Sequence, residues 1–305
     1  MTGRHHNADW QEGQPTVSLV NMAGRRAAVL GAVILAVAAA LAAPSVRADD
    51  RGLPAGRTAF RLAVRDQSTD HVNYLLYVPP RDAPSSGWPL ILFLHGSEQR
   101  GDDPAMLRNL AILSFVDMQG QFPFVAVVPQ CPSGQHWSPS VLKQLLDAIE
   151  AALPVDRGRV YLTGFSMGGY GTWQTAAALP GIFAAIAPLC GLSDLPDVPR
   201  LAGMPTWVFH GARDQNVPLA ESLKMVDALR RAGGKPRLTV YPDFPHDIWS
   251  ITYRDSRLYL WFLAHSLSGG RPGAAASGGW RSEGLPADGS RIAASSRSSD
   301  ALLDR

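Results

Sequence analysis

The chain of 305 residues contains only two cysteines, Cys131 and Cys190. Two are too few for a disulfide framework, and no Cys/His spacing of a structural zinc site occurs, so no metal is expected. Neither charge sign dominates. There are 28 Lys and Arg against 26 Asp and Glu, and setting aside residues 1–48 leaves 24 of each. No basic run is interleaved with aromatics, so nucleic acid is excluded as an expected partner. No internal repeat is visible, so a solenoid or propeller is excluded as well. An apolar run of 17 residues, Ala27–Ala43, is short for a membrane span.

That run has the marks of an export signal. Arg25-Arg26 precedes it, Pro44 breaks it, and Val46-Arg47-Ala48 fits a small-x-small cleavage site. Residues 1–48 therefore read as an N-terminal extension and signal peptide, cleaved near Ala48. The product is expected to be secreted or periplasmic, with no stable membrane insertion after cleavage. A single membrane anchor is the alternative. A start at Met22 gives a signal of ordinary length, and the arginine pair matches a twin-arginine signal poorly. At the other end, residues 268–305 are rich in Gly, Ser, Ala and Arg and poor in apolar side chains. Such a segment cannot bury enough surface to offset its ordering entropy, so a disordered tail is expected. One folding unit remains, residues 49–267.

Within it, "TAFRLAVRD" (58–66) and "HVNYLLYVPP" (71–80) alternate like paired antiparallel strands. "WPLILFLHG" (88–96) is almost continuously apolar, as a strand covered on both faces is. "FVAVVPQ" (124–130), "RVYLTG" (159–164), "FAAIAPLCG" (183–191), "TWVFHG" (206–211) and "RLTVYP" (237–242) repeat that character. Helical patterns alternate with them. Ser138 is placed to cap one helix, Pro218 to sit in the first turn of another, and Gly233 to end it. "DSRLYLWFLAHSL" gives a last helix. The expected fold is α/β, a mainly parallel eight-stranded sheet with helices on both faces and the first two strands antiparallel.

Between a predicted strand and a predicted helix stands Gly164-Phe165-Ser166-Met167-Gly168, which fits G-x-S-x-G. The motif builds a turn so sharp that the serine adopts strained backbone angles. Residues two before and two after it must be small, because side chains there would strike the neighbouring strand and helix. Ser166 is thereby lifted to a helix N-terminus, where N–H groups can hold developing negative charge.

A serine hydroxyl needs a base. His5 and His6 precede the signal, His71 lies on an early strand, His265 on the last helix and His136 in a loop. His95, His210 and His246 all lie at strand C-termini, which gather around one crevice. The chain order nucleophile, acid, histidine selects His246. For the acid, Asp214 follows the strand ending at His210. Asp194 and Asp197, one strand earlier, are rivals, and Asp247 is a poor candidate because adjacent side chains diverge. The oxyanion hole is assigned to the N–H groups of Met167 and of Ser97, in the loop after the third strand.

The segments "LHGSEQRGDD", "VVPQCPSGQHW", "LTGFSMGGYGTW", "IAPLCG", "FHGARDQNVP" and "FPHDIW" occur in this order. Together they resemble the α/β-hydrolase superfamily. More narrowly, they resemble secreted enzymes of the phospholipase/carboxylesterase and dienelactone-hydrolase-like group, with feruloyl esterases and polyhydroxybutyrate depolymerases as relatives. The resemblance spans about residues 56–266. It implies Ser166, Asp214 and His246 as a triad, no cofactor, and a small-molecule or plant-polymer-derived ester as substrate. The strand order it implies puts two strands between those bearing Cys131 and Cys190, so the two thiols are expected to stay unpaired. Two departures are visible. Related loops often read "HGxGERG", where this chain has Ser97-Glu98-Gln99-Arg100-Gly101. Dienelactone hydrolases proper use a cysteine nucleophile, where this chain has Ser166. The expected activity is hydrolysis of carboxylic esters with short or aromatic acyl groups. A serine peptidase acting on short peptides, a polyester depolymerase and a non-catalytic binding module are the alternatives.

Overall fold

The structure, a computed structural model, describes residues 57–110, 112–113, 122–192 and 198–267. The predicted export signal, the predicted tail and the rival acids Asp194 and Asp197 lie outside the described residues. Among the described residues, no helix is long and apolar enough to cross a membrane.

Eight strands form one sheet: β1 (Arg57–Ala63), β2 (His71–Tyr77), β3 (Trp88–Leu94), β4 (Val125–Gln130), β5 (Val155–Phe165), β6 (Ala185–Leu189), β7 (Trp207–Gly211) and β8 (Arg237–Tyr241). Their spatial order is β1-β2-β4-β3-β5-β6-β7-β8. β2 runs antiparallel to both its neighbours, and from β4 to β8 every pairing is parallel. The helices are α1 (Pro139–Ala152), α2 (Met167–Ala178), α3 (Leu219–Arg231), α4 (Trp249–Tyr253) and α5 (Ser256–Leu263).

The apolar run of β3 behaves as its composition dictates. Successive side chains of a strand point to opposite faces. Ile91 and Phe93 accordingly join the core under α5, beside Tyr259 and Phe262. Leu90, Leu92 and Leu94 join the opposite core, beside Leu145 of α1, Trp173 of α2 and Val226 of α3. Both faces of the central strands are thus dry, which leaves the loops at their C-terminal ends as the place for polar chemistry.

Helix starts follow local chemistry. Ser138 caps α1, its hydroxyl accepting from the Val141 N–H. Pro218 stands one place earlier than expected, at the cap position just before α3, and Gly233 leaves that helix with φ +88°. Cys131 and Cys190 are buried free thiols at the ends of β4 and β6, with β3 and β5 between.

The approach of α2 to the sheet sets the tightest constraint. A Cβ on Gly164 would meet the backbone of Gly168, and one on Gly168 would fall inside the van der Waals radius of the Leu94 carbonyl and 2.8 Å from that of His95. A Cβ on Gly171 would lie 2.6 Å from the Trp137 ring. At Gly164 and Gly168 helix and strands touch backbone to backbone, so no rotamer change can relieve a methyl added there.

The segment after β3 is held from several sides. His95 presents Nδ1 to the Gly96 carbonyl at 2.6 Å, and its Nε2 accepts from the Cys131 N–H at 3.0 Å. Gln130 donates to the carbonyls of Gln99 and Asp103, and Arg100 to those of Ser97 and Gln135. At its far end Asp102 accepts from Arg61 of β1 at 3.0 and 3.1 Å, from Asn73, and from His71 Nε2 at 2.8 Å. His71 Nδ1 meets Asp70 at 2.6 Å. With a carboxylate on each nitrogen, His71 favours its charged form. The hydrogen bonds to Asp102 and Asp70 raise its pKa, against desolvation and the repulsion of Arg61.

Two predictions follow from this packing. Gly168→Ala destabilises by about 3 kcal/mol or more, a fall in Tm of about 6–12 °C for a domain of this size. An unchanged melting temperature contradicts the close approach. For His71, a pKa raised in the folded state means stabilisation that is complete below the unfolded value, about 6.5, and is lost as pH rises through the folded value. Thermal melts of wild type from pH 6 to 9 lose that increment, and His71→Gln, which does not titrate, lacks it. Parallel pH curves for the two proteins contradict the clamp.

Candidate active site

Ser166 directly follows β5 and caps α2 with φ +57° and ψ −115°. That combination is strained for a residue with a side chain. It is held because the Ser166 N–H donates to the Leu189 carbonyl of β6 at 2.9 Å while its own carbonyl accepts from Tyr170 in α2 at 3.0 Å. The hydroxyl stands at the positive end of the helix.

The loop after β8 brings His246 to it. Gly211, at the end of β7, has no side chain because the Phe244 and Pro245 carbonyls lie against it. Arg213 fastens the same loop through its N–H to the Phe244 carbonyl and its guanidinium to Asp243. Cys190, itself at φ +47°, donates its thiol to the His246 carbonyl at 3.6 Å. The His246 ring lies 4.8 Å from that of Phe165.

His246 Nε2 lies 2.9 Å from Ser166 Oγ, and His246 Nδ1 lies 2.7 Å from Asp214 Oδ2. The other carboxylate oxygen, Oδ1, accepts from the N–H groups of Asn216 and Val217, both at 2.9 Å. Burial pushes the Asp214 carboxyl up, but the His246 hydrogen bond and the two backbone donors outweigh it, so the pKa is lowered and the group is an anion at neutral pH. An ionised carboxylate on Nδ1 holds the imidazole with its lone pair on Nε2, directed at the serine hydroxyl.

The three histidines at strand ends are thereby told apart. His95 is fully buried, and burial holds its pKa down to about 4, so it is neutral and occupied with the Gly96 and Cys131 backbones. His210 is also fully buried, with its pKa lowered by burial. Neither hydrogen-bonds Ser166, whereas His246 does. His136 is exposed in its loop, and His265 hydrogen-bonds the Trp261 carbonyl in its own chain segment. Asp247 is exposed and is not the partner of His246.

Met167 opens α2 and Ser97 opens a short 3-10 turn, so each has a backbone N–H without an intrahelical acceptor. Gly168 presses on the Leu94 and His95 carbonyls, which brings these two turns together. Sequence reasoning did not find the side chains that support this arrangement. Arg61, Asn73 and Gln130 hold groups 27 to 41 positions away, Arg100 reaches Gln135 across 35, and Ser222 meets His210 across 12. The signal nearest to hand was His210, singled out as a candidate base because it ends a strand.

Comparison with known proteins agrees with this architecture. A family model described as "Putative esterase" matches residues 69–247, more than half of the chain. The chain is 32% identical over 146 residues to the bifunctional acetylxylan esterase/xylanase XynS20E of Neocallimastix patriciarum, a match covering 46% of this chain and 21% of that protein. It is 26% identical over 222 residues to the poly(3-hydroxyoctanoate) depolymerase of Pseudomonas fluorescens, covering 63% and 79%. Among solved structures, a thermostable esterase superposes with a TM-score of 0.63 at 30% identity, covering 70% of this chain and 64% of that one. The chain thus spans about a fifth of the bifunctional enzyme and just under two thirds of the thermostable esterase. With its eight-stranded α/β-hydrolase sheet and a family match across most of the described domain, the chain belongs to this esterase family.

Proposed function

We propose that this chain is an exported serine hydrolase that cleaves carboxylic esters through an acyl-enzyme. One observation carries the reading: the hydrogen-bonded line from Ser166 Oγ through His246 to an ionised Asp214. His246 Nε2 takes the Ser166 proton as Oγ attacks the ester carbonyl. The N–H groups of Met167 and Ser97 hold the oxyanion, and Asp214 stabilises the imidazolium. The imidazolium then protonates the leaving alcohol. In the second half His246 activates water, which releases the acid and restores Ser166. The scheme uses no metal or organic cofactor.

The substrate is a small-molecule or plant-polymer-derived ester with a short or aromatic acyl group. Two observations support that choice. The relative from Neocallimastix is named for acetylxylan, an acetyl ester of a plant polymer. In this chain Phe165 is half-buried beside Gly96 on one side and His246 on the other, with Trp249 at 6.5 Å, which gives the cleft an aromatic wall. Polyester cleavage is the second reading, favoured by the match to the Pseudomonas depolymerase over most of that enzyme's length. The apolar run Ala27–Ala43 behind Arg25-Arg26, read as an export signal, supports an activity outside the cytoplasm in either case.

The test is kinetic. Ser166→Ala and His246→Ala each lower kcat for p-nitrophenyl acetate by at least about a thousandfold, and the double variant little more, because the residues act as one unit. Asp214→Asn is less severe but still large. On one panel, p-nitrophenyl acetate and methyl ferulate are hydrolysed, while aminoacyl-nitroanilides are not. Dispersed poly(3-hydroxyalkanoate) as the preferred substrate moves the reading to a depolymerase, and anilide cleavage moves it to a peptidase. Folded Ser166→Ala with most of its esterase activity overturns the mechanism. A mild Asp214→Asn beside a severe Asp194→Asn or Asp197→Asn reassigns the acid.

A further inference from the structure

His210, the last residue but one of β7, has no exposed surface and hydrogen-bonds neither Ser166 nor His246, yet both of its ring nitrogens are engaged. Nε2 lies 2.9 Å from the Val217 carbonyl and 3.2 Å from Asp214 Oδ2, and Nδ1 lies 2.7 Å from Ser222 Oγ in α3. A carbonyl only accepts, so Nε2 carries the hydrogen. Burial keeps the ring neutral, so Nδ1 holds a lone pair and accepts from the Ser222 hydroxyl. Ser222 is itself buried on the inner face of α3. The hydrogen on Nε2 goes to the Val217 carbonyl, and Nε2 also stands 3.2 Å from Oδ2, the same carboxylate oxygen that takes the His246 N–H, so its positive edge faces that oxygen.

Ligand-type atoms of Cys190, His210 and Asp214 lie within 4.8 Å of one another. Each is already spent: Cys190 on the His246 carbonyl, His210 on Val217 and Ser222, Asp214 on His246 and two backbone donors. The cluster is a hydrogen-bond hub.

We infer that His210, locked by Ser222, is a positioning residue that aims Asp214 Oδ2 at His246 and sets how strongly that oxygen accepts. The inference rests on Asp214 being the acid of the proposed triad. Without the Nε2–H, Oδ2 is a stronger acceptor from His246 but is no longer fixed in angle. The first effect favours the imidazolium, and the second misaligns the base. The titratable groups around the hub are Asp214, His246 and Cys190, with the Asp247 carboxylate acting on His246 and Cys190 from the same loop and Tyr241 facing Cys190; the thiol stays protonated because burial raises its pKa.

The experiment measures kcat and KM for p-nitrophenyl acetate across pH, per serine titrated with a fluorophosphonate, in the full chain. In His210→Leu, kcat falls about ten- to hundredfold with KM nearly unchanged, since the buried residue cannot touch substrate. The acid limb of the kcat/KM profile moves to higher pH by about half a unit or more. His210→Gln keeps an N–H donor near the position of Nε2 and recovers most of kcat. Ser222→Ala, a mild truncation on a helix, shifts the acid limb in the same direction with a severalfold loss in kcat, and carries the test if the leucine variant does not fold. Wild-type kcat and an unmoved pH profile per titrated serine, in His210→Leu or in Ser222→Ala, overturn the inference. If Asp214→Asn itself leaves kcat intact, the assignment of the acid falls and this inference with it. A severe Asp214→Asn beside a silent His210→Leu overturns the inference alone.

Discussion

The whole site depends on one backbone constraint: a residue with a side chain held at φ +57° where a buried strand turns directly into a helix. Ser166 is kept there by what surrounds it. Its N–H is paired into β6, its carbonyl starts α2, and the two glycines at either side let helix and strands meet without intervening side chains. Strain of this kind costs on the order of 1–3 kcal/mol and persists only where packing over-determines it. The packing is ample. β3 and β5 lie under the turn with fully buried residues on both faces, so helix and sheet cannot drift apart to relax the serine.

Around that fixed hydroxyl the electrostatics are arranged by burial. Of the three histidines at strand ends, two are sealed and neutral, and each anchors backbone: His95 at the loop after β3, His210 at the turn after β7. His246 alone keeps some exposure, 16% of its side chain, which the proposed base needs to meet a substrate. Asp214 is an anion with no exposed side-chain surface, tolerable because three donors hydrogen-bond its two oxygens and His210 Nε2 stands 3.2 Å from Oδ2. Charge is fixed before any substrate arrives, so little reorganisation is required of the site.

The fold was legible because its signals are local. β3, β4, β6 and β7 are apolar runs closed by Gly, Pro or polar residues, and strand alternating with helix admits few topologies. The serine turn was legible because five consecutive residues carry it. What escaped is either short or distant. α4 has five residues and no side-chain cap, too little for a periodic pattern. The first part of β5, Val155-Asp156-Arg157-Gly158, precedes the predicted strand; it is mostly polar, and only Val155 there pairs with β3, at Trp88, beyond a shift in register. The Asp102 clamp joins residues 31 and 41 positions away. His210 and Ser222 meet because a strand and a helix pack together. Such pairs leave no spacing rule in one sequence.

The central claim is that the strained Ser166 is the group that attacks substrate. It is tested most directly by mapping a covalent adduct. Treated with one equivalent of a fluorophosphonate, the protein gains a single adduct, which peptide mass spectrometry finds on Ser166, and esterase activity falls in proportion to its occupancy. An adduct at another residue that tracks the loss of activity, or full activity in protein carrying the adduct on Ser166, contradicts the account.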